Sequence, residues 1–223
     1  MLINELIIYS NNIEKQASFY HEKLGLEVLA RSNDKVVLNM GDSNLVIEYK
    51  EEFTPYHFAI NIPEGKEKQA LNWLKERVEI LIVNDVQIHD FTDWDAKAVY
   101  FYDEDKNIVE LIARRDIDSE NTIDFNADQF LQVSEIGIPT SDIESLFKQM
   151  KTTINLPIYD GGFERFCAVG NEQGLFICIN KENRKWYPND DLAFASPFQA
   201  RISFEGKKFS VSYLNEKFSI KEE

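Results

Sequence analysis

The sequence predicts an α+β fold assembled from βαβββ units. Three observations carry this expectation. Apolar strands and one amphipathic helix follow each other in the order β-α-β-β-β, the same order begins again, and a third copy repeats the first at a fixed offset. In the first unit, Leu6-Ile7-Ile8-Tyr9 reads as a strand. Asn11 or Asn12 can cap a helix with Ile13, Ala17, Tyr20 and Leu24 on one face, and Gly25 ends it. Strands are expected at 27–30, 35–39 and 44–49, with Gly41-Asp42 as the turn before the last. In the second unit, 57–62 is a strand and Pro63 suits a first helical turn. Ala70, Leu71, Leu74 and Val78 face that helix's core side, and strands are expected at 79–83, 98–102 and 107–113.

The third copy rests on alignment. Glu5-Leu6-Ile7-Ile8-Tyr9 lines up with Glu135-Ile136-Gly137-Ile138-Pro139, and Leu45-Val46-Ile47-Glu48 with Leu175-Phe176-Ile177-Cys178. Both pairs share an ungapped offset of 130 (135 − 5 and 178 − 48), which marks duplication of one structural unit. Ser141 and Glu144 read as a capping box for its helix, with Ile143, Phe147 and Met150 facing the core. From Lys185 onward the chain is too short for a full fourth copy and offers a hairpin, 199–204 with 208–213. The expected organisation is therefore a first domain of two units at 1–116, an acidic linker at 117–128, and a second domain at 129–223 made of one unit and the C-terminal hairpin.

Composition narrows the function. The formal net charge of −15 would repel a phosphate backbone, so no nucleic-acid partner is expected. No apolar run is long enough to span a membrane, and the N-terminus lacks a basic region followed by an apolar one, so a cytoplasmic protein is expected. Cys167 and Cys178 flank the probable turn 170–174 at nearly equal distances and read as reduced cross-strand neighbours in a hairpin. No nucleophile elbow, Walker loop or dinucleotide fingerprint is present. Trp73, Trp94 and Trp186 are candidates for a cavity wall or for core, and Arg184-Lys185-Trp186-Tyr187-Pro188 forms an aromatic-basic cluster that could hold an anion or make a satellite core contact. His89 lies among Asp90, Asp93 and Asp95, which reads as an irregular acidic loop, and His21 as a solvent-facing helix residue.

The chemistry-bearing residues lie inside strands. His57 opens the run Tyr56-His57-Phe58-Ala59-Ile60, Glu48 sits near the end of Leu45-Val46-Ile47-Glu48, and Glu110 lies within Ile108-Val109-Glu110-Leu111-Ile112. They are either ligands of one ion or ordinary strand residues. Glu48 can be solvent-facing, His57 can be a satisfied core histidine, and Glu110 can pair with Arg114 or a lysine.

Three motifs carry a family resemblance. The helix exit Phe19-Tyr20-His21-Glu22-Lys23-Leu24-Gly25-Leu26, the strand Tyr56-His57-Phe58-Ala59-Ile60, and the strand-turn-strand Tyr102-Asp103-Glu104-Asp105-Lys106-Asn107-Ile108-Val109-Glu110 resemble, in this order and spacing, the vicinal oxygen chelate superfamily of glyoxalases, bleomycin-resistance proteins and extradiol dioxygenases. The resemblance covers residues 1–115, and 131–181 through the repeat. It implies paired units forming a cupped sheet that holds a divalent metal (Fe, Mn, Ni, Zn or Mg). The implied ligand positions are Glu5, Glu48, His57 and Glu110, with Glu110, or else Glu5, doubling as a proton-transfer base. Glu5 departs from the pattern, because metal-dependent members carry a histidine there. The third unit has Glu135 and Cys178 at the corresponding places, so no second metal site is expected, and its region is read as structural, dimerising or lid-like. The resemblance leaves three functions open: a metal-dependent lyase, isomerase or dioxygenase acting on a small oxygenated metabolite; a metal-free, bleomycin-resistance-like protein that binds a small molecule; or a structural or regulatory protein whose cups hold no ligand. In such proteins units pair within one chain or across a homodimer.

Overall fold

The computed structural model describes residues 1–115, 117 and 124–223, so 118–123 of the acidic linker expected at 117–128 lie outside the described residues. The first unit comprises β1 (Leu2–Ser10), α1 (Ile13–Ala17) continued by a π-helical turn (Ser18–Lys23), β2 (Val28–Arg31), β3 (Lys35–Met40) and β4 (Ser43–Tyr49). The second has β5 (His57–Ile62), α2 (Glu67–Lys75), β6 (His89–Phe91), β7 (Ala96–Tyr102) and β8 (Ile108–Arg114). The third has β9 (Gln132–Thr140), α3 (Ile143–Ile154), β10 (Ile158–Gly161), β11 (Phe166–Asn171) and β12 (Gly174–Asn180). The C-terminal part adds β13 (Phe198–Phe204), β14 (Lys207–Leu214) and β15 (Lys217–Glu222). It is a three-stranded meander rather than the expected hairpin.

Local signals explain most boundaries. Asn12 Oδ1 accepts from Lys15 N at 3.0 Å and starts α1. Gly25, at φ +80°, ends the helical run in a conformation that costs a residue with a Cβ. The cap of α3 is Asp142, whose carboxylate accepts from Ser145 N at 2.9 Å, rather than Ser141. The helix read from Pro63 begins only at Glu67, because a turn through Gly65 at φ +72° precedes it. The strand expected at 79–83 reduces to bridges, Ile80 to Phe101 and Val83 to Val86, as Asn84 and Asp85 turn the chain at positive φ. Its place at the sheet edge goes to β6.

In each complete unit the first and last strands run parallel, β1 with β4, β5 with β8 and β9 with β12. The sheets, however, do not join the first unit to the second. One sheet has the order β15-β14-β13-β1-β4-β3-β2 and unites the first unit with the C-terminal meander. The other has the order β10-β11-β12-β9-β5-β8-β7-β6 and unites the second unit with the third. The free edge of β5 pairs antiparallel with β9, and that of β1 with β13. The pairing is nested, so the division of the chain near 116–129 does not coincide with the division between sheets.

The two sheets share one apolar core. It contains Ile3, Leu6 and Ile8 of β1, Phe58 and Ile60 of β5, and Ile136 and Ile138 of β9. Ser43 Oγ donates to Ile3 O and accepts from Val133 N at 3.0 Å, which ties the sheets together at their junction. Cys167 and Cys178 stand opposite each other on β11 and β12 as free, buried thiols on this core face. A second, smaller cluster lies on the other face of the second sheet, with Ala59, Tyr100, Ile112, Ile177 and Trp186 among its members. Strand β5 is consequently buried along its whole length, with even-numbered residues in the main core and odd-numbered ones facing a cup.

Candidate metal centre

The cup of the second sheet is built from a row of residues that cross-strand pairing aligns. Tyr100 on β7 stands opposite Glu110 on β8, Glu110 opposite Ala59 on β5, and Ala59 opposite Glu135 on β9. Ala59 is fully buried and carries only a methyl group, which leaves room for the two carboxylates to lean together over it. His57 lies two residues earlier on the same face of β5, and its Nε2 is 3.6 Å from Glu110 Oε2. One ligand atom from each of His57, Glu110 and Glu135 lies within 4.8 Å of the others, and all three residues are buried.

Charge in the cup is nearly but not fully balanced. The Arg114 guanidinium, 1% exposed, pairs with Glu135, while its Nε donates to Asn61 Oδ1 at 3.3 Å. Trp94 stacks 5.3 Å from the same guanidinium. Glu110 has no cation of its own; the Tyr100 hydroxyl near it favours its ionised form. Burial holds Glu110 well above the usual carboxyl range, and the Glu135 carboxylate adds to that rise. Burial also raises Glu135, with the Arg114 guanidinium pulling it back. Burial lowers His57 to about 4, so its imidazole is neutral near pH 7 and its contact with Glu110 is not an ion pair. A neutral imidazole keeps a lone pair for a metal.

The donor set fits a divalent cation. Two donors each about 2.1 Å from one ion lie roughly 3–4 Å apart, so the imidazole–carboxylate separation is of the right size. One nitrogen and two carboxylates suit a hard or borderline ion. Register also shows where a fourth donor would stand. Glu110 is opposite the residue two beyond His57; the matching place on β12, opposite the residue two beyond Glu135, is Ile177.

A cavity of about 550 Å³ opens over the cluster, with Phe91, Trp94, Phe166 and Tyr187 in its wall. Residues 184–187 lie along its rim. Trp186 lies 4.8 Å from the His57 ring in a tilted arrangement and sits on Gly137, where a Cβ would be 2.5 Å from the indole. The Tyr187 hydroxyl hydrogen-bonds His89 Nδ1, which places His89 behind the cavity wall rather than in an acidic loop. Trp94 and Trp186 thus line the cavity, whereas Trp73 packs in the core against Phe125 and Phe130. His21 is held by Leu26 O at 2.8 Å through its Nδ1.

Of the four positions the resemblance implied, the structure brings together His57 and Glu110 only. Glu5 lies in the first sheet, with Oε1 3.6 Å from Arg201 Nη1. Glu48 lies there too, with Oε1 3.2 Å from Lys35 Nζ. Both belong to strands of the other sheet, which pair with neither β5 nor β8. Glu48 is not even the register equivalent of Glu110, since Val46 stands opposite Ile7, two residues beyond Glu5. Glu135 joins the cluster from the third unit, so that unit contributes to the cup and not only the structural, dimerising or lid-like role expected of it. The offset of 130 had marked Glu135 as the counterpart of Glu5; the missing signal was which units pair. Cys178 faces the main core, away from the cup.

No family model matches the chain. The metallothiol transferase FosB of Staphylococcus haemolyticus (strain JCSC1435) is 32% identical over 119 residues, covering 49% of this chain and 81% of that protein. A candidate dioxygenase from Bacillus subtilis subsp. subtilis str. 168 shares the fold with a TM-score of 0.60 at 12% identity, over 80% of this chain and 63% of that one. A glyoxalase/bleomycin resistance protein/dioxygenase from Alicyclobacillus acidocaldarius is also similar, with a TM-score of 0.44 at 20% identity over 51% of this chain and 92% of that one. With its βαβββ units and this relationship to FosB, the chain belongs to the vicinal oxygen chelate superfamily.

Proposed function

We propose that the second cup binds one divalent metal ion through His57, Glu110 and Glu135 and serves an enzyme acting on a small oxygenated molecule, by lyase, isomerase, dioxygenase or thiol-transfer chemistry. The observation that carries the reading is the buried imidazole with two carboxylates against a single guanidinium. Two buried carboxyl groups share one guanidinium and burial raises the proton affinity of both, so a divalent ion would let both ionise. The FosB relationship supports the same reading, since that relative is named for a metallothiol. A bound divalent ion supplies Lewis-acid polarisation of substrate oxygens. The chain's own residues do the rest. Tyr100 stands opposite Glu110 and its hydroxyl favours the carboxylate form, and Arg114 holds Glu135 in the row. Glu110, the carboxylate without a guanidinium partner, is our candidate for proton transfer. Trp186 and the aromatic wall exclude water from the cluster.

A second reading has its own support. The Arg114–Glu135 pair already occupies one carboxylate, and Ile177 stands in the fourth place. Those features favour a metal-free cup that sequesters a small molecule. Metal analysis of protein purified without chelator, with calorimetric titration of Mn²⁺, Fe²⁺ and Zn²⁺, decides between the two. The metal reading expects about one equivalent in the wild type and at least tenfold weaker binding in each of His57→Ala, Glu110→Gln and Glu135→Gln. A wild type that takes up none of the three ions refutes it.

A further inference from the structure

The aromatic-basic cluster of residues 184–188 lies at the mouth of the second cup. The Arg184 guanidinium sits 4.6 Å over the Phe166 ring, and Phe166 in turn lies 6.1 Å from Trp94. Lys185 follows it on the same rim, and both residues line the cavity. Arg165 is close enough that its charge acts on Arg184. Among the described residues, none of Arg165, Arg184 and Lys185 forms an ion pair. Clustered cations without carboxylate partners stand out in a chain whose net charge is −15. They repel one another, and an anion between them removes that cost.

We propose that this rim is an anion-recognition site, and that the cup takes a planar aromatic molecule bearing an anionic group, its ring between the aromatic walls and its charge against Arg184 and Lys185. Asp90, Asp93 and Asp160 also line the cavity, so within its wall an anionic end is favoured only against the basic rim. Asp160 is already engaged by the Trp94 indole N–H at 2.8 Å, and Asp90 by the Thr92 hydroxyl at 3.1 Å. The Arg184 guanidinium stacked on Phe166 presents a flat cationic edge, suited to a carboxylate in the plane of an adjoining ring. The inference rests on the reading of the cup as a small-molecule site and holds whether or not a metal is bound.

Calorimetry on the full chain with salicylate, phenol and methylphosphonate tests it. Salicylate is expected to bind about tenfold tighter than phenol, the neutral ring, and about tenfold tighter than methylphosphonate, the anion without a ring. The double variant Arg184→Gln/Lys185→Gln should lose the advantage of salicylate over phenol while phenol binds as before, which a merely misfolded cup would not allow. Rising salt should shrink the advantage in the wild type only. Equal affinity for salicylate and phenol, an advantage that survives in the double variant, or methylphosphonate binding as tightly as salicylate overturns the proposal. Repeating the series after chelation separates the two readings: a salicylate advantage in metal-free protein sustains this inference even if the metal centre fails its own test.

Discussion

Replacing Arg114 by methionine isolates the electrostatics of the cup. The guanidinium is 1% exposed and is the only cation paired with Glu135 among the described residues. Methionine keeps most of the aliphatic stem, so packing against Trp94 changes less than charge does. Removing one partner of a buried ion pair leaves the other desolvated and unpaired, at a cost of about 3–5 kcal/mol. Removing both, in Arg114→Met/Glu135→Gln, eliminates the stranded charge, and the loss should fall to about 1–2 kcal/mol of hydrogen bonding and packing. Urea denaturation followed by tryptophan fluorescence and circular dichroism measures both, provided the slopes agree with wild type. The metal reading adds a further expectation. With Arg114 gone, a divalent ion becomes the available partner for Glu135, and a concentration about a hundred times its dissociation constant returns roughly 2.7 kcal/mol. A double variant as unstable as Arg114→Met would refute the argument, because the stranded carboxylate could not then be the source of the loss.

Three other outcomes follow from the same geometry. Ala59→Leu places a branched side chain between Glu110 and Glu135, and should cost about 1–3 kcal/mol in urea while abolishing metal uptake; undiminished uptake would show that the carboxylates do not meet over Ala59. Asp103 is fully buried and accepts from Tyr20 Oη at 2.8 Å and Asn107 Nδ2 at 2.7 Å, yet burial raises it from 3.8 to about 6. Because the folded-state value lies above the unfolded one, its contribution to stability is fully present below pH 4 and is lost as pH rises through about 6, by roughly 3 kcal/mol. Asp103→Asn, though less stable overall, should lack that decline, and parallel pH profiles for the two proteins would argue against it. Finally, a fragment of residues 1–116 leaves β1 without β13 and β5 without β9, and is expected to aggregate alone and to be rescued by co-expression with 117–223; a folded, monodisperse fragment on size-exclusion chromatography would contradict the nested pairing.

Much of the fold was legible because it is written in local periodicity. The offset between Glu5 and Glu135 exposed the repeat, and the alternation through His57–Ile62 and Ile108–Ala113 placed two central strands within a residue or so. What alternation does not encode is which strand edges meet. A βαβββ unit presents the same free edge whichever unit it joins, so the choice of β9 rather than β1 as partner of β5 rests on long-range packing. That choice decided the site. Glu5 and Glu48 were sound candidates only if the first two units shared a cup. Glu135 became a candidate only once the third unit was seen beside the second. The strand missed at 217–222 has a different cause: its charged, exposed residues alternate with only Phe218 and Ile220, too few apolar positions to be read as a sheet edge.

The contrast between the two sheets explains why chemistry belongs to one of them. Each presents a row of polar side chains on the face away from the common core. On the first sheet that face is open, and the Glu5 and Glu48 side chains remain 21% and 34% exposed. Their partners Arg201 and Lys35 are themselves well exposed, so water already solvates both charges, and such pairs contribute about 1 kcal/mol or less. On the second sheet, the segment 184–187 brings Trp186 and Tyr187 to the cup, and the Glu110 and Glu135 side chains fall to 4% exposure. The same residue type on equivalent strands is therefore an ordinary surface carboxylate in one cup and a group in need of a cation in the other. The covering segment that creates this difference also carries Arg184 and Lys185 to the rim, so one stretch of chain both desolvates the acidic cluster and sets the charge a ligand meets on entering.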